Sequence, residues 1–337
     1  MFGDYEFNTL ARIEKYRNDD AINQSYLKSI ISAQKYIKKE DDDLKFLPGN
    51  LVDTLITCTK DDFNNLYYVV DIPRCDPMYI AIANDLRLDD SIAGLELEEI
   101  VDKEKIISAF KRNTNLAWKS DTIYDKVMTN MSDYWSSINS AGERTIVTTE
   151  ELNKAKEEVE LLKSSKQTSP FLNVDTALDQ MPYFADYEGV RCKILVDRLI
   201  ITGNLIQPVD FKRTDSTFDT FKHVAKTLKY HFQAAFYQEI LQKCFTDYAV
   251  LNPILCVVTG GDTPHAFVLQ FSELDLRIGK YGYTEKRDKI INGDIYTTEN
   301  SYDGFHQAIE KHKLITSLGI TSNYNYELQQ GLITSLF

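Results

Sequence analysis

Five cysteines in 337 residues (Cys58, Cys75, Cys192, Cys244, Cys256) include no C-x-x-C pair. That spacing argues against a disulfide framework, a structural zinc site and a cysteine-held iron–sulfur cluster. Thiols in a reducing compartment are the expectation. No run of eighteen apolar residues occurs, so no membrane-spanning helix and no membrane partner are expected. The first twenty residues, MFGDYEFNTLARIEKYRNDD, lack an apolar secretory core, which points to a cytoplasmic protein. P-loop, G-x-G-x-x-G and G-x-S-x-G patterns are absent, leaving nucleotide-binding and serine-hydrolase readings without an anchor. Positive charge is scarce: 38 Lys and Arg stand against 51 Asp and Glu, for a net charge of −13.

What is present supports a packed fold: 43% of residues are hydrophobic and 12% aromatic. The charge is unevenly spread. Gly189 to His231 carries a net +4, so the remainder carries −17. A basic region inside an acidic chain can focus a polyanion into a cleft.

The first twenty residues read as an amphipathic arm. A helix is expected from Ser25, as cap, to about Ile37, followed by the charged loop Lys38–Asp43. Asp61 to Ile138 reads as mainly helical, with Gly142 as a break. Thr148 and Glu151 have capping-box spacing before a helix to about Ser164. Then the period changes. Val190–Ile201 (VRCKILVDRLII) is dense in β-branched residues, Thr202-Gly-Asn204 marks a hairpin, and Leu205–Thr214 is the return strand. Pro208 marks that strand as an edge or a bulge. Helices follow at about 218–228 and 230–245, strands at 254–259 and 266–271, and helices at about 274–291 and 302–312.

The fold expected is α/β (α+β), a central mixed sheet flanked by helices with a helical N-terminal portion. Its divisions are an arm (1–20), a mainly helical part (21–170), a catalytic core (171–315) and a tail (316–337).

Asp197 interrupts an otherwise apolar or basic strand, where a carboxylate is costly unless paired or bound to a cation. Across the turn, Asp210 and Lys212 lie two apart and so share a strand face. With the hairpin closed, two carboxylates and an ammonium can converge, an arrangement suited to Mg²⁺. Lys212 would then position or deprotonate an attacking water. An internal ion pair among Asp197, Asp210, Lys212 and Arg198 is the alternative. Downstream, Gln233 and Tyr237 lie four apart on one helical face.

This order, Asp197-x12-Asp210-x-Lys212 followed by Gln233-x3-Tyr237, resembles the PD-(D/E)XK nuclease superfamily in its RecB-like branch. The longer string GVRCKILVDRL … PVDFKRT … YHFQAAFYQEIL is similar to the exodeoxyribonuclease VIII (RecE-type) nuclease domain. The likeness is strong over about 189–239 and weaker over 20–315. Asp53 stands where that family carries a histidine. Asp179 and Gln180 stand near its glutamate, and Leu195 takes the place of a basic residue two before Asp197.

The resemblance implies a Mg²⁺-dependent enzyme, with Mn²⁺ as substitute, digesting linear duplex DNA from 5′ ends to leave 3′ single strands for recombination. It implies catalytic roles for Asp197, Asp210, Lys212, Gln233 and Tyr237, and metal ligation by Asp53, Asp197, Asp210 and the Phe211 carbonyl. Arg198, Arg213, Lys222, Lys226, Lys229 and His231 are the candidate DNA contacts. Partners implied are duplex DNA ends, a single-strand annealing protein, and further copies of the chain in a ring. A Cas4-like or endonucleolytic relative, and a non-catalytic DNA-binding scaffold of the same fold, are the alternatives.

Overall fold

A computed structural model describes residues 9–32, 46–72, 75–261, 263–291, 294–317 and 319. The chain divides into two compact units: Met1–Cys58 with Glu158–Phe337, and Thr59–Glu157.

Three helices open the first unit: α1 (Thr9–Asn18), α2 (Gln24–Ser32) and α3 (Leu47–Thr57). The expected cap Ser25 lies inside α2. Asn23 takes that role, its Oδ1 accepting the Tyr26 N–H at 2.9 Å. The expected continuation to Ile37 and the charged run after it lie outside the described residues. Pro48 and Gly49 fall in the first turn of α3, where proline lacks no helical hydrogen bond.

The second unit contains α4 (Lys60–Leu66), β1 (Tyr67–Val70), α5 (Pro77–Leu86), α6 (Lys103–Asn113), α7 (Ser120–Ile138), β2 (Thr145–Thr148) and the start of α8 (Thr149–Ser164). It is mainly helical around buried Phe110, Met131 and Trp135. It also holds a short parallel pair, β1 with β2, unsignalled because four residues are too few to show a period. The capping box at the head of α8 forms as expected: Glu151 accepts the Thr148 N–H at 2.9 Å, and Thr148 Oγ1 accepts the Glu151 N–H at 3.2 Å.

The first unit resumes through α9 (Ser169–Leu172), β3 (Leu178–Tyr187), β4 (Val190–Thr202), β5 (Leu205–Thr214), α10 (Phe218–Thr227) and α11 (Tyr230–Cys244). It continues with β6 (Ala249–Val250), β7 (Ile254–Thr259), β8 (Ala266–Gln270), α12 (Glu273–Tyr281), β9 (Tyr283–Ile291), β10 (Asp294–Tyr302) and α13 (Phe305–Ser317). The main sheet runs β3-β4-β5-β7-β8, antiparallel except for the parallel β5–β7 pair, with the short β6 also on β5. This is the mixed, helix-flanked sheet expected. Helix α11 lies on it, and Phe232, Phe236 and Ile240 are buried with Tyr183, Ile194, Val196 and Phe305.

Two expectations are corrected. β5 is interior, not an edge. Its partner on one side changes from β6, at Leu205 and Ile206, to β7, from Val209 onward. Pro208 sits at that changeover, where no N–H is needed, and Gln207 Nε2 bridges the gap by donating to Asn252 O at 2.9 Å. The helix expected through Ile291 stops at Tyr281. Gly282 ends it at φ +73°, in a place where a Cβ would collide with the Tyr302 carbonyl. The alternating TEKRDKII segment then pairs with β10 as an antiparallel hairpin.

Candidate active site

The β4–β5 ladder is regular from Thr202↔Leu205 to Arg198↔Val209 and ends there. Beyond it β4 keeps β3 as its neighbouring strand, Cys192 bridges Ile22, and β5 continues beside β7. The sheet therefore forks at Asp197 and Asp210. The Asp197 carboxylate fills the fork: its Oδ2 accepts the Phe211 N–H at 3.1 Å. On the other side of β4 the β3 ladder skips one pair, Gln180 opposite Asp197. Gln180 adopts φ +49°, a left-handed conformation costing a non-glycine residue roughly 1–3 kcal/mol. Asp197 is thus the position where both neighbouring ladders are interrupted.

Asp210 and Lys212 share a face of β5, as the two-residue spacing requires. Lys212 Nζ is in ion-pair contact with Asp210 Oδ2 and donates to Phe211 O at 3.2 Å. Asp210 Oδ2 is buried against that ammonium. From α11, Gln233 Nε2 donates to Asp210 Oδ1 at 2.9 Å. Tyr230, Gln233 and Tyr237 line one pocket with Asp210, whose apolar wall includes Val196, Val209, Ala234 and Leu255. Tyr230, with Lys212 Nζ 5.6 Å from its ring centroid, is absent from the expected set. Its position three residues before Gln233 on the same helical stripe is the signal that marks it.

Asp53, on α3, is held by Gln180, whose Nε2 donates to Asp53 Oδ2 at 3.2 Å, to Oδ1 at 3.4 Å and to Thr57 Oγ1 at 3.1 Å.

Electrostatics join these groups. Burial, and then the Asp210 and Asp53 charges, push the Asp197 carboxyl well above the usual carboxylate range, against the pull of Lys212 and the Phe211 N–H. Burial likewise pushes Asp53 up to about 7; Lys212 opposes this while Asp210 and Asp179 add to it. Burial alone would lower the Lys212 pKa, but Asp210 and Asp197 reverse this and hold the ammonium charged. The Tyr237 phenol is raised by burial and by the charges of Tyr16, Asp197 and Asp210.

Among the described residues, no three His, Cys, Asp or Glu side chains are gathered so that they hold an ion as they stand. The fork nevertheless fits a hard divalent cation. It offers part-buried carboxylates that repel one another and a nearby backbone carbonyl, all oxygen donors.

Several expected DNA contacts are placed otherwise. Arg198 is 7% exposed. Its guanidinium clasps Asp179 at 2.7 and 2.8 Å and donates to Leu172 O at 2.8 Å. No face is left for a phosphate, and a buried arginine must be fully paired to be tolerated. Arg213 is part-buried, its guanidinium paired with Glu158 and Asp215. His231 is lowered to about 4 by burial and by Lys28, Lys229 and Lys226, against the pull of Asp275, so it is neutral near pH 7. Lys222 and Lys226 are exposed on α10, but Lys229 is off that helix, in a left-handed turn at φ +54° before α11. The three do not form one helical stripe.

A forked mixed sheet with Asp on one strand, Asp-x-Lys on the next and a Gln-bearing helix behind defines a PD-(D/E)XK-type core. A family model described as a PDDEXK-like domain of unknown function (DUF3799) matches residues 102–299, more than half the chain. The chain belongs to that family. Asp53 lies outside the matched segment. Among solved structures, it is similar to a chain from Eubacterium rectale described as a "putative exonuclease", at 13% identity and a TM-score of 0.32, covering 65% of this chain and 79% of that one. No curated protein matches the sequence.

Proposed function

We propose that this protein is a Mg²⁺-dependent deoxyribonuclease of the RecE-like exonuclease type, acting on ends of linear duplex DNA in the 5′-to-3′ direction and leaving 3′ single strands for recombination. The observation that carries this reading is the convergence of Asp197, Asp210 and Lys212 at the fork, with Gln233 ordering Asp210. PD-(D/E)XK-type nucleases generally use divalent cations. Asp197, Asp210, Asp53 and the Phe211 carbonyl are the groups that would hold one here. Such a cation supplies Lewis-acid stabilisation of phosphoryl oxygens and activation of water.

The chain's own residues do the rest. Lys212, held as an ammonium, donates to a phosphate oxygen and offsets the negative charge that grows there. In this arrangement it is a donor and not the base that deprotonates water. Gln233 fixes the Asp210 rotamer through its amide, and Tyr237 closes the same pocket beside Asp197 and Asp210. Lys222 and Lys226 supply exposed positive charge on α10 for the DNA backbone. On this reading several copies enclose DNA in a ring, which reconciles the net charge of −13 with a polyanionic substrate; a strict monomer in light scattering counts against the ring.

The test compares linear duplex, labelled at the 5′ or the 3′ end, with covalently closed circles, each with Mg²⁺ and with chelator. Early release of 5′ label from linear DNA, with circles intact, is expected. Cutting of circles would make the enzyme an endonuclease.

A further inference from the structure

Gln180 is 3% exposed, sits in left-handed backbone and is skipped by the β3–β4 ladder opposite Asp197. A strand position keeps such a conformation only when its surroundings impose it. Here the irregularity directs the side chain toward α3. Its amide nitrogen donates to both oxygens of Asp53 and to the Thr57 hydroxyl, which in turn donates to the Asp53 backbone carbonyl at 2.8 Å. Asp53 and Asp197 come from elements far apart in sequence, and Gln180 lies between them: its backbone faces Asp197 at the gap in the ladder and its side chain holds Asp53.

From this geometry we infer that Gln180 is a positioning residue: it sets the Asp53 carboxylate for a divalent cation shared with Asp197 and Asp210. The contacts it makes are to Asp53 and Thr57 through its amide nitrogen, a donor that does not ligate a cation, so its link to the site runs through Asp53. The inference rests on the metal-dependent reading of the fork. An amide suits the position because it attracts Asp53, whereas a carboxylate there would repel Asp53 until a cation screened the pair.

The experiment measures Mn²⁺ binding by calorimetry to the full chain as wild type, Gln180→Ala, Asp53→Asn, the double variant and Asp210→Ala, with folding checked by circular dichroism and thermal melting. Gln180→Ala should weaken Mn²⁺ binding about tenfold, on the scale of a lost partner beside a ligating group. The double variant should bind no more weakly than Asp53→Asn, since nothing remains for Gln180 to position. Unchanged binding by folded Gln180→Ala, or losses that simply add in the double variant, would overturn the inference. Gln180→Glu keeps the test open if the alanine variant does not fold. It should melt lower than wild type without metal and recover most of the difference with Mn²⁺; equal melting points without metal would contradict the role. Wild type binding Mn²⁺ no tighter than Asp210→Ala would instead refute the metal site itself, a result distinct from failure of Gln180 alone.

Discussion

Asp197 Oδ2 accepts the backbone N–H of Phe211 at 3.1 Å, and by doing so takes the place of a ladder bond between β4 and β5. One side chain both opens the sheet and occupies the opening. Asp197→Asn keeps an oxygen for that N–H while removing a buried charge that Asp210 and Asp53 repel. Relative to wild type without divalent cations at pH 8, the variant should be more stable, because burial and the Asp210 and Asp53 charges disfavour the ionised form of the group it removes. It should also lose metal-dependent activity. Chemical denaturation with nuclease assays on the same preparation checks both.

On the metal-dependent reading, the raised carboxyls make cation binding proton-linked. Asp53 is pushed up to about 7, above its ordinary value near 4, so the folded state holds a proton there that the unfolded chain has released. That contribution to stability is fully present below about pH 4 and is lost as pH rises toward 7. A bound cation requires the ionised carboxylates, so its affinity should move the opposite way. Mg²⁺ should bind at least about tenfold more tightly at pH 8 than at pH 6, releasing protons. Titrations in buffers of different ionisation enthalpy read both quantities. A pH-independent affinity would contradict the linkage.

Gln233 donates to Asp210 at 2.9 Å. A hydrogen bond to a charged group is worth about 1.5–3 kcal/mol. Gln233→Ala should therefore lower kcat by roughly 10- to 100-fold with little change in DNA affinity. Gln233→Glu should be worse, because it sets a second carboxylate against Asp210. Steady-state kinetics separate the two.

The cations of this region divide into two groups. Arg198→Ala leaves Asp179 without its partner beside a buried site and should destabilise the fold by about 3–5 kcal/mol. Lys222→Ala and Lys226→Ala should leave stability within about 0.5 kcal/mol. Each should shift the salt dependence of DNA binding by roughly one phosphate contact. Thermal melts and binding titrations over a salt series distinguish the groups.

The hairpin bearing the site was legible because β4 is a long β-branched run and Gly203 turns it into β5. The Asp–Asp–Lys spacing and the Gln233–Tyr237 stripe could be read from strand and helix periods alone. β3 was not legible: Pro182 and the polar pair Asp179-Gln180 mask a ten-residue strand whose partner supplies its regularity. Hence the link from Gln180 to Asp53, across 127 residues of sequence, was invisible. The charge of Arg198 and Arg213 was plain from sequence, but their burial was not, because it depends on Asp179 and Glu158 arriving from other elements. β9 reads as a continuation of helix because its charged residues fit either period, and only its pairing with β10 decides.

The most direct measurement is Mg²⁺-dependent release of acid-soluble label from linear duplex DNA by wild type, Asp210→Ala and Lys212→Ala, each shown by circular dichroism to be folded. The predicted result is release by wild type, none with chelator, and a loss of at least about a thousandfold in both variants, as removal of groups that stabilise a phosphoryl transition state requires. Folded Asp210→Ala or Lys212→Ala protein digesting DNA at the wild-type rate would contradict the assignment of the fork as the reacting centre.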